Sequence, residues 1–184
     1  MLPELERRFT RIESQRHALD ALVAGLSDAQ LNWRPPAPDG AWSIGQIVDH
    51  LIRSDTTFGR AVPDTAALPR EPIGFRLVAA RWRRALILRA FRRNIPLPLP
   101  STDVEPQREA LNAAGLAARW EDARRVMHGE LAAYETDETR YMHRVIGPLS
   151  ASAMLEVEEE HTAYHARQIE SRRAHPSFPA DAPR

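Results

Sequence analysis

Apolar residues recur every three or four positions over four long segments of this chain, and this spacing constrains the fold more than any other feature. Such a repeat places apolar side chains on one face of an α-helix, whereas a half-buried strand needs strict alternation. The clearest stripe lies near the N-terminus, with Leu5, Phe9, Ile12, Leu19 and Val23. No segment has an alternating strand pattern. The spacing therefore predicts an all-α protein.

Capping residues mark the first two long helices. Pro3 fits the first turn of a helix that Gly25 ends. Ser27-Asp-Ala-Gln30 has the spacing of a capping box and predicts a short helical turn. The second long helix begins at Ser43-Ile-Gly-Gln46, a further capping box, where Trp42 is placed to pack on the helix as a hydrophobic staple.

The later helices have weaker boundaries. We predict a third long helix from about Gln107 or Leu116 to Thr136. Ser150, which follows a Gly-Pro turn, caps a last helix that ends near Arg173.

The segment between the second and third long helices is less regular. Residues Ile73 to Arg93 have helical character and contain seven arginines. We expect these arginines, including Arg81 and Arg84, to pair with acidic groups rather than with nucleic acid. Asn94-Ile-Pro-Leu-Pro-Leu-Pro100 cannot continue a helix. The predicted architecture is an antiparallel four-helix bundle with an additional arginine-rich helix and a Pro-rich strap.

Composition narrows the possible classes of protein. The length of 184 residues suits one domain, which we assign to residues 1–175, followed by a Pro-rich tail over residues 176–184. The 25 basic residues balance 25 acidic ones, so no broad positive field attracts nucleic acid or an anionic membrane. Cysteine is absent, which excludes thiolate ligands and a cysteine nucleophile. Without a signal peptide or a transmembrane run, we expect a cytoplasmic protein.

Three histidines form the most informative polar group. His161 and His165 are four residues apart and share the core-facing side of the last helix. His50 lies at the border of the apolar stripe of the second helix. Together they could supply three nitrogens to one metal ion and leave other coordination positions open. The alternative, that each is a core histidine with satisfied hydrogen bonds, stays open at this point.

The other four histidines are excluded as ligands. His17 and His128 lie opposite the apolar stripes of their helices and are predicted to face solvent. His143 precedes a Gly-Pro turn and His175 lies in the Pro-rich tail, so we expect no rigid element to orient either ring.

Two longer motifs contain the three selected histidines. Trp42-Ser-Ile-Gly-Gln-Ile-Val-Asp-His-Leu51 resembles the signature at the second helix of the DinB-like (DinB/YfiT) superfamily of metalloenzymes. Gly147-Pro-Leu149, followed by His161-Thr-Ala-Tyr-His165 and Gln168-Ile169, is similar to its second signature. The resemblance extends from about Leu26 to Ile169.

The resemblance implies a DinB/YfiT-like four-helix bundle in which His50, His161 and His165 bind a divalent metal ion. Nickel and zinc are the first candidates, followed by iron, manganese and cobalt. Several relatives transfer a low-molecular-weight thiol to an electrophile, whereas others have no assigned activity. Metal-dependent thiol transfer is therefore the first interpretation. A non-catalytic module locked by its metal and a metal-dependent hydrolase are the alternatives.

Four further residues are predicted near the metal site: Glu158, Ser54, Tyr164 and Gln168. Glu158 lies one turn before His161 on the same face. Three roles are open to it: a fourth ligand, an outer contact of the site, or a partner for a buried arginine. We expect a small-molecule substrate, no nucleic acid and no membrane as partners. A homodimer is compatible with the sequence.

Overall fold

The computed structural model describes residues 1–36, 41–58, 60, 73–97, 102–107, 109–137 and 139–180. Within these ranges, the chain forms six α-helices: α1 (Pro3–Ala24), α2 (Asp28–Asn32), α3 (Ile44–Phe58), α4 (Ile73–Arg92), α5 (Ala113–Ala132) and α6 (Ala151–Arg173). A two-stranded antiparallel hairpin, β1 (Thr139–His143) and β2 (Gly147–Ser150), precedes α6. The prediction of an all-α protein is confirmed, because this hairpin is the only sheet in the described part of the chain.

Three of the helices, α2, α3 and α6, begin where the sequence places capping groups. The backbone amide of Gln46 donates to Oγ of Ser43 at 3.1 Å, and the amide of Ser43 donates back to the Gln46 side chain at 3.1 Å. The same reciprocal pair links Ser27 and Gln30 at the start of α2. Oγ of Ser150 accepts from the third residue of α6. These contacts satisfy amides that would otherwise lack partners at a helix start.

Four of the helices form the predicted bundle. Helix α1 packs against α5 and α6, and α3 packs against the same two helices, so each long helix has two neighbours. A glycine permits the close approach of α2 to α3, because a Cβ at Gly45 would lie 3.2 Å from Cγ of Leu31. Helix α4 lies outside the four and packs on α6.

The interior of the bundle contains two apolar clusters. One includes Leu5, Phe9 and Met127 and extends to the hairpin, and the other includes Leu19, Leu51 and Trp120. Along α1, α3, α5 and α6, buried polar residues occur between or beside these clusters. The bundle therefore has a polar layer in its interior, and the candidate site lies beside it.

Two boundaries differ from the sequence prediction. Helix α5 starts at Ala113, because Asn112 caps it through the amide of Gly115 at 2.8 Å, and it ends at Ala132 rather than Thr136. The residues before it are held out of the helix by side chains. The amide of Gln107 donates to Asp49 and that of Leu111 donates to Asn32, both at 2.8 Å.

Two arginines of the arginine-rich helix make ion pairs of the kind that we expected. Arg84 lies 3.6 Å from Glu156 and Arg92 lies 2.6 Å from Glu160, both on α6. Arg83 donates to the carbonyl oxygen of Ile146 at 3.0 Å. These contacts attach α4 to the last helix and to the hairpin turn.

Parts of the two proline-rich segments are described. The strap is irregular over residues 95–97, while residues 98–100 lie outside the described residues. In the tail, Phe178 packs against the apolar cluster that contains Leu19, and its ring lies 5.4 Å from that of Trp33. Residues 181–184 of the predicted tail also lie outside the described residues. Across the described chain, no helix has both the length and the apolar character needed to cross a membrane.

Candidate metal site

The structure brings together three histidines from two helices. Nε2 of His161 lies 3.2 Å from Nε2 of His50 and 3.0 Å from Nε2 of His165. His50 comes from the second turn of α3, and His161 and His165 lie one helical turn apart on α6, with their rings nearly perpendicular. The helical spacing and the α3–α6 contact together produce this convergence. One divalent metal ion could be held by the three rings.

The outer nitrogen of each imidazole faces an acceptor. Nδ1 of His50 lies 2.7 Å from the carbonyl oxygen of Val104, which can only accept, so this nitrogen carries the proton. Nδ1 of His165 lies 2.8 Å from Oε1 of Gln168, and Nδ1 of His161 lies 3.9 Å from a carboxylate oxygen of Glu158. In neutral His50 and His165 the lone pairs on Nε2 therefore point toward the common centre.

The spacing of the inner nitrogens fits one metal ion. Two imidazole nitrogens bound to the same ion at ordinary bond lengths are about 3 Å apart, close to the two measured separations. Lone pairs that face one point repel each other unless a proton or a cation lies between them. The three-histidine donor set is also one that zinc, nickel and other first-row divalent ions accept.

Burial keeps these rings neutral. It lowers the pKa of His50 to about 3 and that of His161 to about 4, and for His50 the nearby His161 acts in the same direction. Burial also lowers the pKa of His165 well below its ordinary value. A metal ion needs unprotonated imidazoles, so the burial prepares the three nitrogens for coordination near neutral pH.

Aromatic rings pack against each imidazole. The ring centroids of Trp42 and His50 are 4.9 Å apart, those of Phe91 and His161 5.2 Å, and those of Tyr164 and His165 4.9 Å. These contacts restrict rotation of the imidazoles and keep water from their faces.

A cavity of about 360 Å³ opens beside the three histidines. Its apolar wall comes from α3, α4, the strap and the hairpin, and includes Trp42, Ile87, Phe91, Leu97 and Val145. Its volume lies within the range of small-molecule sites in proteins. Helix α4 and the strap, whose role the sequence leaves open, thus form one side of this cavity.

The four residues predicted near the site all line the cavity: Ser54, Glu158, Tyr164 and Gln168. Gln168 also donates to the Tyr164 hydroxyl at 2.8 Å, which orients its oxygen toward His165. Glu158 faces the outer nitrogen of His161 rather than the converging Nε2 atoms. This position suits an outer contact of the site better than a fourth ligand.

Glu158 also belongs to the buried polar layer. Arg124 lies 2.9 Å from Asp55, whose Oδ2 accepts from the Trp120 indole at 2.6 Å. Burial raises the pKa of Asp55 to about 7 and raises that of Glu158, while the charge of Arg124 opposes both shifts. Glu158 therefore lies on the cavity wall and also interacts with a buried arginine, which was one of the roles open to it.

Arg124 and Asp49 are two residues of this region that the sequence reasoning missed. Arg124 lies in the apolar stripe of α5 with Leu116, Trp120 and Met127. A charged residue within an apolar stripe could have identified this position from the sequence. Asp49 precedes His50 and is fully buried. It lies 2.9 Å from Arg53 and 2.6 Å from Arg119, and it also holds the amide of Gln107.

The expectation that no rigid element orients the ring of His143 is wrong. His143 ends strand β1, is half-buried and lines the same cavity as His161. Burial lowers its pKa to about 4, with a further contribution from His161. It is not among the three rings that converge. His17 and His128 are exposed, as predicted.

The amino-acid sequence matches one known protein family. A family model described as the DinB superfamily matches residues 11–169, which include all four bundle helices in whole or in part and the three histidines. No curated protein and no solved structure matches the chain. Because the family match spans most of the sequence, the chain belongs to the DinB superfamily.

Proposed function

We propose that this protein binds one divalent metal ion through His50, His161 and His165, and that it activates a low-molecular-weight thiol for transfer to an electrophile. The observation that supports the metal centre best is the convergence of three Nε2 atoms whose rings are fixed from outside. Nickel and zinc suit three imidazoles, and iron, manganese or cobalt could replace them.

The ligand set suits thiol activation. A divalent ion held by three neutral imidazoles keeps its charge and can lower the pKa of a thiol that occupies an open position. The chain has no cysteine, so the thiol has to come from a second molecule. Gln168 and the Val104 carbonyl orient two of the imidazoles, and Trp42 and Phe91 exclude water from that side.

The cavity separates this proposal from a metal-locked structural module. In a structural site the protein closes the coordination sphere, whereas a catalytic site keeps a position open. Here the three histidines all line the cavity, and Glu158 faces an outer nitrogen. A hydrolase would use the same open position for water, so the experiment has to include both reactions.

The test uses the cobalt-loaded protein. Addition of a thiol should produce a sulfur-to-cobalt charge-transfer band, and this band should titrate with an apparent pKa below the value of about 8.5 for a free thiol. Mycothiol, bacillithiol and glutathione should each be titrated, and conjugation to a model electrophile should be followed in parallel. His165→Ala should abolish both signals, and His128→Ala should leave both unchanged.

The outcomes distinguish the three interpretations. A cobalt spectrum that no thiol changes, at full metal occupancy, would overturn thiol transfer and leave the metal site intact. Hydrolysis of ester substrates without thiol binding would support the hydrolase. A protein that takes up none of nickel, zinc and cobalt would overturn the metal centre itself.

A further inference from the structure

The segment over residues 102–107 supplies the carbonyl group that orients His50. It begins with a single turn of 3-10 helix, Thr102–Val104, and the carbonyl oxygen of Val104 lies 2.7 Å from Nδ1 of His50. The Val104 side chain is fully buried. A carbonyl oxygen can only accept, so the position of this one decides which nitrogen of His50 carries the proton.

Two side chains of α3 hold the last residue of this segment. The backbone amide of Gln107 donates to Oδ2 of Asp49 at 2.8 Å, and the Gln107 carbonyl oxygen accepts from Nε2 of Gln46 at 3.1 Å. Asp49 and Gln46 are three positions apart and therefore lie on the same side of α3. Both backbone polar groups of Gln107 are thus bound to the helix that carries His50.

The backbone between Val104 and Gln107 has little freedom to move on its own. Pro106 is buried, and its ring fixes its own φ and restricts the residue before it. A displacement of Gln107 would therefore be transmitted to the carbonyl group of Val104, three residues earlier in the chain.

Asp49 is itself held in one position. It is fully buried, and its Oδ2 also accepts from Nε of Arg53 at 2.9 Å. Its other carboxylate oxygen lies 2.6 Å from a guanidinium nitrogen of Arg119 on α5. Contacts with two guanidinium groups and a backbone amide fix the orientation of this carboxylate. The acceptor for the Gln107 amide is therefore rigid.

We propose that Asp49 and Gln46 are positioning residues of the metal site, which hold Gln107 and so keep the Val104 carbonyl oxygen against Nδ1 of His50. The inference rests on the proposed metal centre. Neither of the two side chains is part of the cavity wall. They act through His50, because a proton that stays on Nδ1 leaves the lone pair of Nε2 directed toward the other two histidines.

Three variants on α3 test this arrangement. Asp49→Ala removes the acceptor for the Gln107 amide. Gln46→Glu keeps an acceptor oxygen for the Ser43 amide, so the helix cap remains, but it places a carboxylate against the Gln107 carbonyl oxygen. Asp49→Asn keeps an acceptor oxygen for Gln107, and Arg119, whose side chain is 40% exposed, can turn to solvent.

Asn32→Ala is the matched control. Oδ1 of Asn32 accepts from the backbone amide of Leu111 at 2.8 Å, the same length as the bond at Gln107 and within the same connection between α4 and α5. Its loss removes a comparable hydrogen bond, but it should leave the Val104 carbonyl group in place.

The first readout needs no metal. Nitrogen-15 spectra of the metal-free wild type should show His50 protonated at Nδ1 and unprotonated at Nε2. Asp49→Ala and Gln46→Glu should each give a mixture of the two tautomers, and Asp49→Asn and Asn32→Ala should keep the wild-type tautomer. If Asp49→Ala does not fold, Gln46→Glu decides, because its helix cap is intact. A wild-type tautomer in every folded variant overturns the proposal.

The second readout is the affinity for nickel and zinc, measured by competition with a chromophoric chelator. Loss of an outer contact of a metal-bound histidine lowers affinity about 10- to 100-fold, and here the contact is displaced rather than deleted. We expect binding about 10-fold weaker in Asp49→Ala and Gln46→Glu, and within about 2-fold of wild type in Asp49→Asn and Asn32→Ala.

The two readouts together separate this role from a merely structural one. An affinity that falls while the His50 tautomer is unchanged does not act through Val104 and overturns the proposal. An affinity within about 2-fold of wild type in both Asp49→Ala and Gln46→Glu overturns it as well. If the wild type binds neither metal, the proposed function fails, and the tautomer of His50 alone decides whether these two residues position its ring.

Discussion

The Nε atom of Arg124 on α5 lies 2.9 Å from Oδ2 of Asp55 on α3, in the interior of the bundle. Both side chains are almost fully buried, and Glu13 on α1 lies 3.8 Å from the same nitrogen. Glu158 on α6 completes the group, so every bundle helix contributes a charged residue. A buried cation of this kind compensates carboxyl groups that could not remain charged in an apolar interior.

Replacement of Arg124 should therefore be costly. Arg124→Ala removes the counter-charge of Asp55 and Glu158, and we expect the free energy of unfolding to fall by about 3–5 kcal/mol. Arg125→Ala, one residue away, removes only an exposed pair with Asp122 and should cost less than about 1 kcal/mol. Urea unfolding of both variants at neutral pH measures the difference. Equal losses would show that the buried layer has no special role in stability.

The sequence predicts the bundle helices well because the residues that define each helix are close to one another in sequence. The apolar stripes, the two capping boxes and the Ser150 cap all depend on residues a few positions apart, and the structure reproduces them. The convergence of His50 with His161 and His165 needs contact between α3 and α6. The bundle architecture implies that contact, and the resemblance of two motifs to one family indicates it.

The features that were missed depend on neighbours distant in sequence. The hairpin is only five and four residues long, and its buried Tyr141 and exposed Met142 form too short an alternation to identify a strand. His143 acquires a fixed direction only from this hairpin. The start of α5 was ambiguous because Gln107 and Leu111 are held outside the helix by Asp49 and Asn32, more than fifty residues earlier.

Metal occupancy should depend on the three converging histidines and not on the exposed ones. Alanine at His50, His161 or His165 removes one of three nitrogen donors and should lower occupancy sharply after purification. Alanine at His17 or His128 should have no effect. Metal analysis by mass spectrometry provides the measurement. Full occupancy in His50→Ala would contradict the assignment.

Gln168 should influence metal affinity without contacting the ion. Gln168→Leu removes the acceptor for Nδ1 of His165, and we expect the affinity to fall about 10- to 100-fold. Gln168→Glu keeps an acceptor oxygen at this position and should remain closer to wild type. Competition with a chromophoric chelator measures both. If the leucine variant binds as tightly as wild type, the orientation of His165 does not need Gln168.

The metal-free protein should lose stability as the pH falls below about 6.5, the ordinary pKa of histidine. Burial lowers the pKa of His161 to about 4, so between these values the unfolded chain binds a proton that the folded chain does not. The free energy of unfolding then decreases by up to about 1.4 kcal/mol per pH unit for this residue. Asp55, with its pKa raised to about 7, acts in the opposite sense.

The contribution of His161 is therefore measured as a difference between two proteins. His161→Gln cannot titrate, so its unfolding free energy should depend less steeply on pH than that of wild type between pH values of about 5 and 6.5. Chelator-treated samples and urea unfolding at several pH values provide the two slopes. Parallel slopes would mean that the folded protein protonates His161 as readily as the unfolded chain does.

Gly147 should be required for the hairpin that positions His143. Its φ of 98° is unfavourable for a residue with a side chain, and a Cβ there would lie 3.2 Å from a guanidinium nitrogen of Arg83. We expect Gly147→Ala to lower the free energy of unfolding by roughly 1–2 kcal/mol.

Gly129→Ala is the matched control, because Gly129 lies within α5 with open space around the added Cβ, and alanine should stabilise the helix by about 0.5–1 kcal/mol. Thermal and urea unfolding should both show a loss of stability for Gly147→Ala and a gain for Gly129→Ala.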